Sequence, residues 1–258
     1  MIHFISDLHL SSQTPGVARR FLGYLAGEAR RAEHLFILGD LFEAWPGDDC
    51  IDDPDTPFER DIVKALRQLS DAGVALSIMH GNRDFMLGDD FARRCGARLI
   101  SDPHDLSVAS QRFVLSHGDA LCTDDLAYQA FRAKVRNPAF RAAALSRPLA
   151  ERKATAAALR QQSEQAKQEK NASGLYSADL NKEATESFLR EHAYATFIHG
   201  HTHQPATHTH TVDDRCVDRW VLADWSETYG EYLCLEGGQL QRQPIAQVPA
   251  PDLSEKST

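Results

Sequence analysis

Apolar residues in this chain gather into short continuous runs, and each run ends on a polar turn. The runs are Ile2–Ile5, Leu35–Leu38, Val74–Met79, Phe113–Leu115 and Thr196–Ile198. Apolar stretches this short, bounded by turn signals, read as strands covered on both faces. Between them the period becomes helical. Thr14 and Pro15 precede Val17, Phe21, Leu22, Leu25 and Ala29, and Thr56 and Pro57 precede Ile62, Val63, Leu66 and Leu69, with Glu59 in the first turn. A threonine N-cap followed by proline at the first helical position is a start signal. This alternation through residue 116 predicts a largely parallel sheet flanked by helices. After Gly200 the pattern changes: Ala206–Val212, Trp220–Leu222 and Tyr232–Leu235 look like short strands with no helix between them. The fold class expected is α/β, an α+β-type sandwich of two mixed sheets flanked by helices.

One stretch breaks the pattern. Residues 124–170 are rich in Ala, Arg, Gln, Lys and Leu, all strong helix formers. Pro138 and Pro148 divide them into about three helices. Leu126, Phe131, Val135, Phe140, Leu145 and Leu149 form an apolar set that needs something to cover. The expectation is a helical cap insertion at about 124–172 within a single domain, 1–242. Residues 243–258 are polar and contain proline, and are expected to form a disordered tail.

Composition adds further points. Over 258 residues, 42% are hydrophobic and 25% charged, ordinary for a globular protein. No apolar run approaches the roughly 18 residues of a membrane span, and Met1-Ile2-His3-Phe4 enters a strand directly, so no export signal is expected. Five cysteines without a CxxC pair read as free thiols in a reducing compartment. The net charge of −9 argues against non-specific nucleic-acid binding. From Leu126 to Ala172, however, ten Lys or Arg stand against three Glu and no Asp, a local +7. Such an island is either a solvated helical face or has a local task.

The chemistry lies in the turns that end the apolar runs: Asp7-Leu8-His9, Gly39-Asp40, Gly81-Asn82-Arg83-Asp84, His117-Gly118-Asp119 and Gly200-His201-Thr202-His203. Each segment alone reads as a turn. Five together, at the ends of strands, place oxygen and imidazole ligands along one sheet edge, where α/β folds carry their sites. If the segment is extended, Asp7 and His9 face the same way. The set divides into Asp7, His9 and His203 on one ion and Asn82, His117 and His201 on another, with Asp40 bridging. Oxygen and nitrogen ligation without thiolate suits Mn²⁺, Fe²⁺ or Zn²⁺. Two such ions about 3.5–4 Å apart activate water and clamp an in-line displacement. Of the other histidines, His199 is assigned to the core or to orienting a ligand, His80 to orienting a neighbour, and His208 and His210 to a solvent-facing edge strand.

The order Asp-x-His, Gly-Asp, Gly-Asn-x-Asp, His, Gly-His-x-His resembles the calcineurin-like metallophosphoesterases over about residues 1–240. Within them, the strings Ile5–Leu10, Leu38–Trp45, His80–Phe85, His117–Asp125 and Ile198–Pro205 are similar to the UDP-2,3-diacylglucosamine pyrophosphatase family of lipid A biosynthesis. That resemblance implies an enzyme using two Mn²⁺ at the cytoplasmic face of the inner membrane. It would be peripheral there, without an obligate protein partner. It would cleave a lipid-linked sugar nucleotide, UDP-2,3-diacylglucosamine, to UMP and 2,3-diacylglucosamine 1-phosphate, with a cap holding the acyl chains. Asp40 and Arg83 would be catalytic. Asn82, Arg83, Asp125, Ser163, Lys170 and His201 would contact substrate. At Lys167 relatives often carry Asn, which leaves a phosphate contact and a solvated helix residue both open.

Arg83 tests this narrowing chemically. Many metallophosphoesterases carry a histidine after the Asn, able to protonate the leaving oxygen, whereas an arginine does not give up its proton. The site therefore suits a leaving group that needs none. A phosphomonoester, with a second pKa of about 6, departs as an anion from a pyrophosphate. The alternatives are another phosphoesterase, such as a nucleotide or cyclic-nucleotide phosphodiesterase, and a non-catalytic scaffold on the same fold, which loss of ligands would mark.

Overall fold

The apolar runs pair as parallel strands, because a strand buried on both faces needs an apolar side chain at every position. In a computed structural model describing residues 1–173 and 179–245, with residue 164 and residues 166–173 described by backbone alone, β1 (Ile2–Ile5), β2 (His34–Leu38), β3 (Ala75–Met79) and β4 (Ala97–Ile100) run parallel. On the other side of β1, β10 (Glu231–Glu236) and then β11 (Gln239–Pro244) add antiparallel. The second sheet joins β5 (His104–Val108), β6 (Gln111–Ser116), β7 (Thr196–His199), β9 (Arg215–Val221) and β8 (Ala206–Val212), in that spatial order. Its three inner strands are parallel and its two edge strands antiparallel. Both sheets are thus mixed.

Alternation along β2 shows how the layers stack. Leu35 and Ile37 face α1 (Pro15–Ala26), α2 (Pro57–Asp71) and α3 (Asp89–Cys95), packing with Phe21, Leu66 and Phe91. Phe36 and Leu38 face the second sheet and meet Phe4, Leu115, Ile198 and Leu233 in the core between the sheets. On the far face of the second sheet, Val114 and Phe197 pack with Leu189 of α7 (Lys182–Glu191). The molecule is therefore helix, sheet, sheet, helix in section.

The sequence signals are met with exceptions. Thr14 and Thr56 immediately precede α1 and α2, but neither hydroxyl caps its helix. Thr14 Oγ1 donates to Ser11 O and Thr56 Oγ1 to Asp53 O, so each ties its helix to the preceding loop instead. α3 takes its N-terminal acceptor from a distance: Asp48 receives the Gly88 N–H at 3.0 Å and the Phe91 N–H at 2.9 Å. His208 and His210 lie on an edge strand as expected, but they are not solvent-facing. Both are half-buried on the face that carries Arg219, whose Nε bonds His210 Nε2 at 3.1 Å. β11 continues through Pro244 and Ile245 is buried, so regular structure passes the boundary expected at 242. Residues 246–258 of the expected tail lie outside the described residues.

Between β6 and α7 stand α4 (Leu126–Val135), α5 (Pro138–Leu145) and α6 (Leu149–Ser173). Among the described side chains, about half of their positive charges meet acidic partners inside the molecule. Arg132 bonds Asp119 at 2.9 Å, Arg141 bonds Leu87 O at 3.2 Å, Arg152 pairs with Asp49, Lys153 with Asp53 at 2.6 Å, and Arg160 with Glu43 at 3.1 Å. The basic island faces the acidic loop 43–53.

Since Phe36 fills the core between the sheets, Phe36→Ala is expected to cost about 3–5 kcal/mol. Urea unfolding should show a lower midpoint with an unchanged slope; a loss under about 1 kcal/mol would refute the assigned packing.

Candidate metal centre

Every candidate ligand sits just past the C-terminal end of a parallel strand: Asp7 and His9 after β1, Asp40 after β2, Asn82 after β3, His117 after β6, His201 and His203 after β7. The loops after β1 and β2 zip together through His9 N–H to Asp40 O at 2.9 Å and Leu10 N–H to Leu41 O at 3.0 Å. The expectation that Asp7 and His9 converge on an extended segment is corrected. Asp7 (φ 55°), His9 (φ 49°), Asp40 (φ 52°), His201 (φ 68°) and His203 (φ 54°) all occupy the left-handed region. Each such residue costs about 1–2 kcal/mol. Alternating left-handed turns, not a strand, aim both side chains inward.

Close approach of the backbones keeps this geometry. A Cβ on Gly81 would lie 2.0 Å from Asp40 Oδ1, and one on Gly200 would lie 2.2 Å from Asp7 Oδ2. Asp7 Oδ2 instead accepts the His201 N–H at 2.9 Å, and Asp40 Oδ1 accepts the Arg83 N–H at 2.8 Å. Asp84, fully buried, accepts the N–H groups of Gly81 and Leu41, each at 2.8 Å, and so pins the turns that carry Asn82 and Asp40.

The side chains then form two faces. On one, His203 Nε2 lies 3.2 Å from His9 Nε2 and 3.5 Å from Asp7 Oδ1. On the other, Asn82 Oδ1 lies 2.9 Å from both His117 Nε2 and His201 Nδ1. Between them, Asp40 Oδ2 lies 3.7 Å from His9 Nε2 and 3.8 Å from His117 Nε2. Asp7, His9 and His203, and likewise Asp7, Asp40 and His117, bring their ligand atoms within 4.8 Å of one another. Asp7 Oδ1 is buried with no hydrogen-bond partner, an arrangement that calls for a cation. This donor set fits divalent metal.

Electrostatics agree. Burial works against charge on His117, yet Asp40, Asp7 and Asp119 push it up to about 9. Burial, reinforced by His117, takes His201 down to about 4. Burial and the Asp40 charge raise Asp84 to about 6. Burial opposes Asp7, but His203, His117 and His9 hold its carboxyl well below the usual range.

Acidic neighbours orient the ligand rings, and the sequence reading missed them. Glu43 Oε2 is 3.1 Å from His9 Nδ1. Asp224 lies 3.6 Å from His203 Nδ1, and Leu38 O is 2.9 Å from His117 Nδ1. The available signal was an acid two or three positions after a ligand: Glu43, Asp84, Asp119. His199 is buried and bonded to Gly200 O and Arg219, away from the ligand faces. His80 bonds Leu87 O at 2.7 Å.

Arg83, with its guanidinium 3.8 Å from Glu43, stands at the rim. Its neighbour Asp84 is turned inward to backbone donors rather than paired with it. Asp125 is half-buried and caps α4, accepting the Tyr128 N–H at 3.2 Å. Ser163 is exposed on α6, and the Lys167 and Lys170 side chains lie outside the described residues.

Residues 1–205 match the calcineurin-like phosphoesterase family, and the chain belongs to it. The class is thus a metal-dependent phosphoester hydrolase. Within it the chain is similar to proteins named UDP-2,3-diacylglucosamine hydrolase. The one from Aromatoleum aromaticum is 52% identical over 87% of this chain and 89% of its own. That of Chromobacterium violaceum is 46% identical over 95% and 98%, and that of Escherichia coli O81 45% identical over 86% and 90%.

With His117 raised to about 9, its imidazole is protonated at neutral pH in the metal-free protein, while a ligand imidazole must be neutral. Divalent metal binding should therefore release about one proton, and affinity should rise with pH up to that value. Calorimetric Mn²⁺ titrations in Tris and in HEPES should differ by the buffer ionisation heat; equal heats would exclude the release.

Proposed function

We propose that this chain hydrolyses the pyrophosphate bond of UDP-2,3-diacylglucosamine, giving UMP and 2,3-diacylglucosamine 1-phosphate (lipid X). Two Mn²⁺ would be held by Asp7, His9, Asp40, Asn82, His117, His201 and His203. The observation that carries this reading is the match, at 45–52% identity over most of the chain, to proteins of one name from separate bacteria. These matches cover 86–95% of the chain.

When bound, the divalent pair supplies Lewis acidity, acidifying water and offsetting charge on the attacked phosphoryl group. The chain's own residues do the rest. Asp40 Oδ2 stands between the two ligand faces and fixes their separation. Asn82, His117 and His201 form a surface that can orient a phosphoryl oxygen. Arg83 shares its turn with Asn82, and its N–H holds Asp40. Its planar fork can bind the charge dispersed over a departing phosphate, and the leaving group needs no proton. The cap would add Asp125 and Ser163 as hydrogen-bond partners and Lys170 to phosphate, with Lys167 either beside it or solvated.

The enzyme is assigned to the cytoplasmic face of the inner membrane as a peripheral protein. No helix among the described residues is long and apolar enough to cross a membrane. The cap exposes Leu126, Leu145 and Leu159, apolar groups suited to a lipid surface or to acyl chains.

Incubation with UDP-2,3-diacylglucosamine should release UMP with Mn²⁺ and stop with a chelator. Asp40→Ala should abolish turnover in a folded chain, and Arg83→Ala should lower kcat about 10²–10³-fold. Simple nucleotides cleaved as fast as the lipid substrate would overturn the assignment.

A further inference from the structure

The cap is attached to the metal-bearing turns themselves rather than to the sandwich in general. Asp119 lies two residues after His117 and is fully buried. Its Oδ2 accepts the Tyr128 hydroxyl at 2.5 Å and Arg132 Nε at 2.9 Å, and its carbonyl accepts Gln129 Nε2 at 2.9 Å. All three partners are on α4. One turn further along, Arg136 donates to His80 O at 3.2 Å and Gly81 O at 3.0 Å, on the segment that carries Asn82. The Tyr128 ring stacks over the His201 imidazole, with centroids 6.0 Å apart and planes at 27°. A single helix thus grips the turns of Asn82, His117 and His201, which are the ligands of one candidate ion, and none of these contacts reaches Asp7, His9 or His203.

We propose that Asp119 is a positioning residue that couples this half of the metal centre to the placement of the cap. A cation drawing Asn82, His117 and His201 together fixes the three points on which α4 rests. By linkage, a well-seated α4 must tighten that cation by the same factor. The cap is thereby set for substrate only when the centre is loaded. Outer contacts of this kind change metal affinity about 10- to 100-fold when removed. The inference rests on the assignment of these seven residues as metal ligands.

The test is amide exchange of residues 126–135 with and without Mn²⁺, together with calorimetric Mn²⁺ affinity, in the wild-type chain, Asp119→Asn and Tyr128→Phe. Tyr128→Phe removes one hydroxyl, keeps the ring, and covers the case in which Asp119→Asn fails to fold. Mn²⁺ should slow exchange across α4 in the wild type. Both variants should lose most of that protection and bind the weaker-held Mn²⁺ about tenfold less tightly. Normal Mn²⁺ binding without any change in α4 exchange would overturn the coupling and leave the metal assignment intact. So would variants that lose thermal stability equally with and without Mn²⁺ at unchanged affinity, since that marks a brace and nothing more. A flat wild-type titration would overturn both.

Discussion

Two carboxylates, Asp7 and Asp40, are withdrawn from water at the seam between the sheets. An ionised carboxylate in such a place must find opposite charge or enough donors. The chain supplies one backbone N–H to each, from His201 and from Arg83, and surrounds them with imidazoles. That is too little to neutralise the pair, and His117 shows the result, driven to hold a proton despite complete burial. The strained turns add to the cost, because five non-glycine residues at the centre lie in the left-handed region. A fold retains such an arrangement where function requires it. Divalent cations there would relieve the charge and reward the geometry together, linking stability and loading through the same atoms.

This constraint governs which parts of the molecule were legible in the sequence. Parallel strands buried on both faces leave unbroken apolar runs, so β1, β2, β3, β6 and β7 announce themselves and the candidate ligands at their ends can be read in order. β4, β5 and β11 lie at sheet edges with one open face, and sequences such as His104-Asp105-Leu106-Ser107-Val108 carry no continuous run. α3 is short, and its N-terminal acceptor, Asp48, lies forty residues earlier than its partner Gly88. The spacing of Glu43, Asp84 and Asp119 after candidate ligands stood in the sequence, but their partners did not, and Asp224 lacked even that signal. Those partners are ring nitrogens for Glu43 and Asp224, backbone N–H groups for Asp84 and α4 side chains for Asp119, and only packing brings them together. The left-handed conformation of Asp7 and His9 was equally hidden, since spacing by two suits an extended strand as well as paired turns.

The cap shows how composition can mislead about charge. A local +7 in an acidic protein invites an external anion as its explanation. Much of it is instead opposed by Glu43, Asp49, Asp53 and Asp119. Exposed ion pairs contribute little each. Several between one helical layer and one loop still fix how the layer sits, and they join α6 to the loop that follows Asp40. Among polar neighbours the cap also leaves large apolar groups exposed, Leu126 above all. That is the more telling surface for an enzyme whose relatives are named for a lipid-bearing substrate.

The centre also makes the inter-sheet core part of the chemistry. Asp7, His9, Asp40 and Asn82 come from the first sheet; His117, His201 and His203 come from the second. Neither sheet alone carries a complete ligand face, since each face pairs residues from both. The spacing within each face is therefore set by the side chains packed between the sheets, among them Phe4, Phe36, Leu38, Leu115 and Ile198. Close-packed interiors transmit displacement rather than absorb it, and a shift of about 1 Å is enough to spoil an in-line displacement. Changes in that core would thus reach metal geometry before they unfolded the chain. The apolar runs that make the fold readable also hold the two ligand sets in register.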